Sequence, residues 1–294
     1  MIAVYSTLEK VAGNPTTVLI EGESGTGKDA LAQWLHYNSP RRDGPFMKIE
    51  FASLPEELVE SELFGYERGA FTGAVNSKLG KLDLAQGGTA VLDGIANADL
   101  TVQAKLLNVV EAKQFYRLGG TRSVGLDTRI VALSSVPLAK AVERQVFRQD
   151  LFFRLNLITI RIPPLRDRRD EVFAMAEFLV EQLGRKYKAA ALLHPNCRPV
   201  LEQYDFPGNV RELRNALERA TILSPGREIT PDTLPPAWFK ARNPASRMPS
   251  LEDIERDYIS EVLRQTRGKK VKAANILGIS RKTLLEKRKK YGLE

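Results

Sequence analysis

Gly22-Glu23-Ser24-Gly25-Thr26-Gly27-Lys28 follows a short apolar run, Val18-Leu19-Ile20, and precedes a helical pattern from Asp29 to Tyr37. Strand, glycine-rich loop, lysine and helix together form the context that a phosphate-binding loop requires. Glycines let backbone N–H groups approach phosphate oxygens. Lys28 adds a point charge, and the helix N-terminus adds its dipole. A glycine-rich turn that happens to precede a helix is the weaker account, because motif and context agree. The stretch therefore predicts a nucleotide site that includes Gly22, Glu23, Ser24, Gly25, Thr26, Gly27, Lys28 and Asp29.

Outward from this loop, four more apolar runs read as strands: Phe46 to Ile49, Ala90 to Leu92, Arg129 to Leu133 and Ile158 to Ile162. Their alternation with helical patterns over residues 1–164 argues a parallel α/β sheet. Pro163-Pro164 ends that unit. Residues 165–238 read as helices only, from Glu171 to about Lys186, Arg198 to Tyr204 and Val210 to Leu223, a small helical lid. Pro207-Gly208-Asn209 supplies a turn and an N-cap for the third. Residues 239–249 have linker composition. Ser250 then caps a helix from Leu251 to about Arg267, Gly268 closes it, and two short helices follow, Val271–Leu277 and Arg281–Lys290. The sequence shows no internal repeat. The fold class expected is an α/β P-loop sheet with a helical lid, followed by an all-α domain at 250–294.

Composition sharpens the last assignment. The 294 residues carry a net charge of +8. Residues 268–294 hold nine Lys and Arg against Glu286 and Glu294, so nearly all of the excess lies there. A basic end on a neutral body points to a polyanion-binding module; a solvated helix face is the plainer alternative. Within it, Ala273-Ala274-x-x-Leu277-Gly278-Ile279-Ser280-x-x-Thr283-Leu284 has helix-turn-helix spacing. Ala274 is small where helices cross, Gly278 permits the tight turn, and Ile279 and Leu284 face inward. Ser280 caps the second helix and sets Arg281, Lys282 and Thr283 where base edges are read, while Lys287, Lys289 and Lys290 suit phosphates.

Cys197 is the sole cysteine, which excludes an intrachain disulfide. It reads as an incidental thiol in a reducing compartment. His36 and His194 are isolated and read as structural. No apolar run has membrane-spanning length and the N-terminus lacks a signal pattern, so a soluble, cytoplasmic protein is expected.

Two further features concern chemistry. Thr89-Ala90-Val91-Leu92-Asp93 is an apolar strand ending in an acid suited to a magnesium shell. Gly69-Ala70-Phe71-Thr72-Gly73-Ala74 places small residues around one aromatic and one hydroxyl. Such a composition makes a poor buried strand and reads as a mobile tip that offers Phe71 to a partner; a buried Phe71 is the alternative.

From Val18 to Leu293 these motifs resemble the sigma-54-dependent transcription activators, the bacterial enhancer-binding proteins of the AAA+ class. The resemblance implies ATP with Mg2+ held by Asp93 and Asp29; an acid at position 29 is usual there. It makes Gly69–Ala74 the sigma-54 contact loop, with Phe71 and Thr72 as contact pair, and Phe115–Thr121 a second loop that cooperates with it. Arg148 and Arg154, in Phe147–Asn156, become arginine fingers reaching the adjacent subunit's γ-phosphate, against intrachain pairing with Asp150 or other acids. Arg211, in Phe206–Leu213, becomes a nucleotide sensor from the lid, against pairing with Glu212 or Glu218. Pro163–Arg168 matches the hinge between sheet and lid. The basic end resembles a Fis-type module, which implies dimeric binding to an inverted repeat in double-stranded DNA; Arg288 stands where that module often has an apolar residue. The implied partners are sigma-54 RNA polymerase and further copies of the chain in a hexameric ring. Members usually open with a sensory domain. For this chain a lost input, a truncated product and control by a separate protein are all open.

Three positions depart from the family pattern around the attacking water. Gly94 follows Asp93 where glutamate is usual, Glu50 replaces an asparagine, and Ser135 replaces the sensor asparagine. Glycine can do no proton chemistry. Either Glu50 supplies the missing carboxylate from the neighbouring strand, or the site binds ATP and hydrolyses it slowly or not at all. An ATP-driven activator and a nucleotide-gated DNA regulator that antagonises or joins mixed rings are thus both open. The hexapeptide speaks against a third class, a nucleic-acid motor.

Overall fold

A computed structural model describes residues 1–53, 55–188, 191–224, 228–239, 251–266 and 269–292. The chain divides into two compact units, residues 1–240 and 241–294. The linker expected at 239–249 lies, after residue 239, outside the described residues. So do Ser250 and Gly268, the expected cap and stop of the first C-terminal helix.

The larger unit is built on five strands in the order Phe46–Glu50, Thr89–Asp93, Arg129–Ser134, Val18–Glu21 and Ile158–Arg161. All four pairings are parallel. Leu19, Ile49, Leu92, Ile130 and Ala132 enter one apolar cluster, while Val18, Ile20, Val91, Val131 and Leu133 enter the other. Alternate residues thus feed opposite faces, both covered by helices. Burial on both faces is why the three central strands read as near-continuous apolar runs. The five predicted strands are the five observed. Parallel direction also sends Glu50, Asp93, Ser135 and the phosphate loop to one edge of the sheet, where open α/β sheets bind ligands.

Short antiparallel ribbons escaped the sequence reading. Gly65–Tyr66 pairs with Lys78–Leu79, and Gln114–Tyr116 pairs with Ser123–Gly125. Strands of two or three residues are too short to show a period of two.

The lid holds the three expected helices, Arg169–Tyr187, Arg198–Gln203 and Asn209–Leu223, around its own core. It is not helices only: Leu192–Leu193 and Glu228–Ile229 form a parallel ribbon. Cys197 lies beneath it, with its thiol toward the Ile229 carbonyl at 3.3 Å. Burial pushes this thiol up to about 11, which leaves it inert at neutral pH. His36 is buried and its Nδ1 pairs with Thr89 Oγ1 at 3.0 Å. No helix among the described residues is long and apolar enough to cross a membrane.

In the C-terminal unit the helices Leu251–Gln265, Lys270–Leu277 and Arg281–Tyr291 close over Ile259, Val262, Ala273, Ala274 and Leu284. Ser280 Oγ accepts from the Thr283 N–H at 3.0 Å, the expected cap. Around Arg288, the last turn is anchored by the Tyr291 hydroxyl, which donates to Glu255 at 2.6 Å.

Arg129 is a buried cation that strand reading gave no reason to notice. It is 1% exposed, and its guanidinium donates to the carbonyls of Val11 and Ala12 at 2.8 Å each. Those carbonyls end the helix Ile2–Ala12, where orphan acceptors and the helix dipole favour a cation. Arg129→Ala is expected to destabilise the larger unit by about 3 kcal/mol, since it strands two buried acceptors and opens a cavity. Urea unfolding followed by tryptophan fluorescence measures this directly, because both tryptophans, Trp34 and Trp238, belong to this unit.

Candidate nucleotide site and contact loops

The phosphate loop runs from the strand Val18–Glu21 into the helix Lys28–Tyr37. Thr26 Oγ1 donates to the Glu23 carbonyl at 2.8 Å and holds the loop's curve. Lys28 Nζ donates to the carbonyls of Gly22 and Glu23 at 2.7 and 3.0 Å. Its burial lowers the ammonium's proton affinity, with Asp93 and Asp29 opposing the shift. A cleft of about 640 Å³ opens beside the loop. Of the predicted nucleotide residues, Ser24, Gly25, Gly27, Lys28, Asp29, Glu50, Asp93, Ser135 and Arg211 line it. Gly22, Glu23 and Thr26 build the loop from behind.

Glu23 faces the lid and not the cleft. Its carboxylate takes two N–H bonds from Arg166 at 2.8 and 2.6 Å and one from Asn209 at 3.2 Å. These bonds hold its pKa down at about 2. Asn209 is not the N-cap that its sequence context suggested. It is buried, with a left-handed φ of +51°, and forms the first residue of its helix. Its Oδ1 accepts from the Leu165 N–H at 2.8 Å, and its Nδ2 donates to the Ser24 carbonyl at 3.1 Å as well as to Glu23. One amide thus joins hinge, lid and phosphate loop. The capping role falls to Glu212, which accepts from the Gly208 N–H at 2.8 Å.

Arg211 points to the loop, donating to Ser24 Oγ at 3.0 Å. The acids that competed for it are engaged elsewhere, Glu212 by Tyr204 and Gly208, Glu218 by Lys186 and Tyr187. Arg214, three residues on and so on the same helical face, also lines the cleft. The motif reading missed it.

The main surprise is Lys48. Its ammonium lies 2.6 Å from Asp29, 2.8 Å from Glu50 and 2.8 Å from Asp93. Register explains the convergence. Lys48 and Glu50 are two apart on one strand and share a face, and Glu50 pairs beside Asp93 on the next. That spacing was a usable signal. Lys48 is held firmly protonated: burial opposes the charge, but bonds to Asp29, Asp93 and Glu50 outweigh it. Glu50 in turn sits below the usual carboxylate range, chiefly through Lys48. Asp29 and Asp93, the carboxylates expected to hold magnesium, therefore hold an ammonium. As arranged, this donor set does not fit a divalent ion.

Gly94 takes a left-handed φ of +70°, and its N–H donates to the Leu133 carbonyl at 3.0 Å. A Cβ there would meet Asn97 Nδ2 at 3.1 Å. The backbone itself is thus shaped for glycine, beyond the loss of a side chain.

Arg148 and Arg154 lie outside the cleft of their own chain. Arg148 pairs with Asp150 at 2.7 Å and Arg154 with Glu111, all four side chains substantially exposed.

The hexapeptide closes on itself, the Gly69 N–H donating to the Ala74 carbonyl at 2.9 Å. Phe71 is 47% exposed and not buried, with its ring edge-on to Tyr66 at 5.0 Å. The second loop is fastened to this stem. Leu118 exchanges backbone bonds with Gly65 and Glu67 at 3.0 Å each. Arg117 bridges Glu67 at 2.9 Å and Asp83 at 2.9 Å. Gly119 lies so near that a Cβ would come within 2.8 Å of Ala70.

On the helix-turn-helix, Arg281 and Lys282 are exposed at the start of the second helix, while Lys287 pairs with Glu255 at 2.5 Å and Lys290 with Glu252. Two of the three expected phosphate contacts are therefore engaged within the unit.

Family comparisons agree with this architecture. The Sigma-54 interaction domain matches residues 1–161, the AAA+ ATPase lid domain residues 166–250, and the bacterial regulatory protein Fis family residues 250–291. The chain belongs to the sigma-54 activator family. It is 38% identical to the regulatory protein AtoC of Escherichia coli over all of this chain and 66% of AtoC. It is 38% identical to the transcriptional regulator NtrC of Salmonella typhimurium over 99% of this chain and 68% of NtrC. The chain thus spans about two thirds of the length of these relatives. NtrX of Brucella abortus, crystallised in complex with ATP, superposes with a TM-score of 0.76 at 32% identity, over 100% of this chain and 68% of NtrX.

Two outcomes follow for the hinge. Asn209→Ala is expected to cost about 2–3 kcal/mol in urea unfolding, and Asn209→Gly about 1 kcal/mol less, since glycine accepts the left-handed backbone. Glu23 is depressed in the fold, so its contribution is complete above its ordinary pKa of 4.5 and is lost as pH falls toward about 2. A Glu23→Gln protein should accordingly show a shallower loss of stability across that acid window.

Proposed function

We propose that this chain is a sigma-54-dependent transcription regulator. It binds ATP in the cleft beside the phosphate loop, binds double-stranded DNA through Ser280, Arg281, Lys282, Thr283, Lys287, Lys289 and Lys290, and contacts sigma-54 RNA polymerase through Gly69–Ala74. The observation that carries the reading is Arg211 on Ser24: the lid reaches across to the phosphate loop, so occupancy of the cleft bears on lid position. NtrX in its ATP and ADP complexes supports nucleotide in this fold. The working parts are 1–164 for nucleotide, 165–238 for the lid, 239–249 as linker and 250–294 for DNA, all in the cytoplasm.

Arg148 and Arg154 act between copies in a ring, which we take to be a hexamer. Their present partners are surface pairs, worth roughly 0–1 kcal/mol and readily exchanged for a triphosphate. The pairs of Lys287 and Lys290 yield to DNA phosphates on the same ground.

A second reading, weak or absent hydrolysis, is favoured by Lys48. Gly94 removes the usual base, and the candidate replacement, Glu50, is tied to an ammonium and is a poorer proton acceptor for it. Loss of a positioned base costs roughly 10²–10⁴-fold in rate. Such a chain would act as antagonist or mixed-ring partner. Steady-state phosphate release against protein concentration tests this. We expect release near background throughout; a cooperative rise with concentration would instead mark a working ring, and Glu50→Gln would then show whether Glu50 drives it. In parallel, sigma-54 capture by the ATP-loaded chain is expected to fall at least tenfold in Phe71→Ala with DNA binding unchanged. Equal capture by both would remove the loop assignment.

A further inference from the structure

Lys48 belongs to none of the motifs that define the family resemblance, yet it occupies the electrostatic centre of the cleft. Its three contacts come from three elements: Asp29 in the first turn of the helix after the phosphate loop, Glu50 at the end of its own strand, and Asp93 at the end of the adjacent one. An ammonium has three N–H donors and no acceptor. Three carboxylates at 2.6–2.8 Å use all of them. The stem is largely enclosed, with the side chain 29% exposed.

We propose that the Lys48 ammonium takes the place of a divalent cation in this site, so that the cleft accepts ATP without magnesium. The inference rests on the reading of the cleft as an ATP site. Magnesium demands near-octahedral oxygen ligands at about 2.0–2.1 Å and gives up its waters reluctantly. To bind Asp93 or Asp29 here it must first expel a cation already paired with three acids. A fixed ammonium has no such entry cost. It offsets the carboxylates that would otherwise repel a triphosphate, and Lys28, Arg211 and Arg214 face the same cleft from the loop and the lid.

The arrangement also accounts for Glu50. A lysine at position 48 without an acid at position 50 would hold two carboxylates, and an acid at 50 without the lysine would add to uncompensated negative charge. The lysine at 48 and the acid at 50 balance each other.

Fluorescent ATP titrated into the full chain tests this, with millimolar magnesium or with EDTA. Wild type is expected to bind within threefold under both conditions. Lys48→Met should bind at least tenfold more weakly in EDTA than in magnesium, because three unpaired acids then need a divalent ion. Lys48→Arg, which keeps the charge, should bind in EDTA to within tenfold of wild type. Mn2+ titrated without nucleotide and followed by electron paramagnetic resonance should find no protein site in wild type and one in Lys48→Met. Wild-type binding lost tenfold or more in EDTA overturns the proposal, whatever the variants do. So does a Lys48→Met protein, folded by circular dichroism, that is as indifferent to magnesium as wild type. No ATP binding in either condition would instead overturn the reading of the cleft itself.

Discussion

Parallel pairing in a fixed register is the constraint on which the rest depends. Hydrogen bonding sets Glu50 beside Asp93 and Glu21 beside Ser134, so four strand ends reach one edge at one level. The three central strands are buried on both faces, and a slip of one residue would carry their apolar sets to the wrong cluster. The chemistry at the edge inherits that precision. The phosphate loop, the acid cage and Ser135 are in place because apolar residues several ångströms away cannot move.

Legibility in the sequence followed the length of each signal. The five strands, the lid helices and the helix-turn-helix were readable because each carries a run of apolar residues or a capped periodic stretch. The phosphate loop was readable because its glycines and lysine stand at a spacing that backbone geometry requires. What escaped was of two kinds. The ribbons at Gly65–Tyr66 and Leu192–Leu193 have too few residues to show any period. Arg129, Asn209 and Lys48 are polar groups whose partners are distant in sequence: Arg129 reaches back 117 residues to Ala12, and Asn209 reaches 186 to Glu23. Lys48 was the nearest to being legible, since a lysine and a glutamate two apart must share one face of a strand.

Against the pattern that the family resemblance implies, the site differs by substitution and also by redistribution of charge. In that pattern a carboxylate follows Asp93, where this chain has Gly94, and none stands at position 50, where it has Glu50, so the acid count at this edge is kept while its centre moves. Lys48 then binds the added acid. Lys48 is the one cation that joins the three acids, so its removal leaves all three uncompensated, whereas loss of Glu50 leaves the lysine two partners.

The fastening of the second loop to the hexapeptide stem carries a mechanical consequence. Arg117 clamps Glu67 and Asp83 at once, and Gly119 leaves no gap beside Ala70. A load applied at the Phe71 ring is therefore not absorbed by one supple tip. It passes through a braced pair of loops into the packed body beneath, as force passes from a blade into its handle.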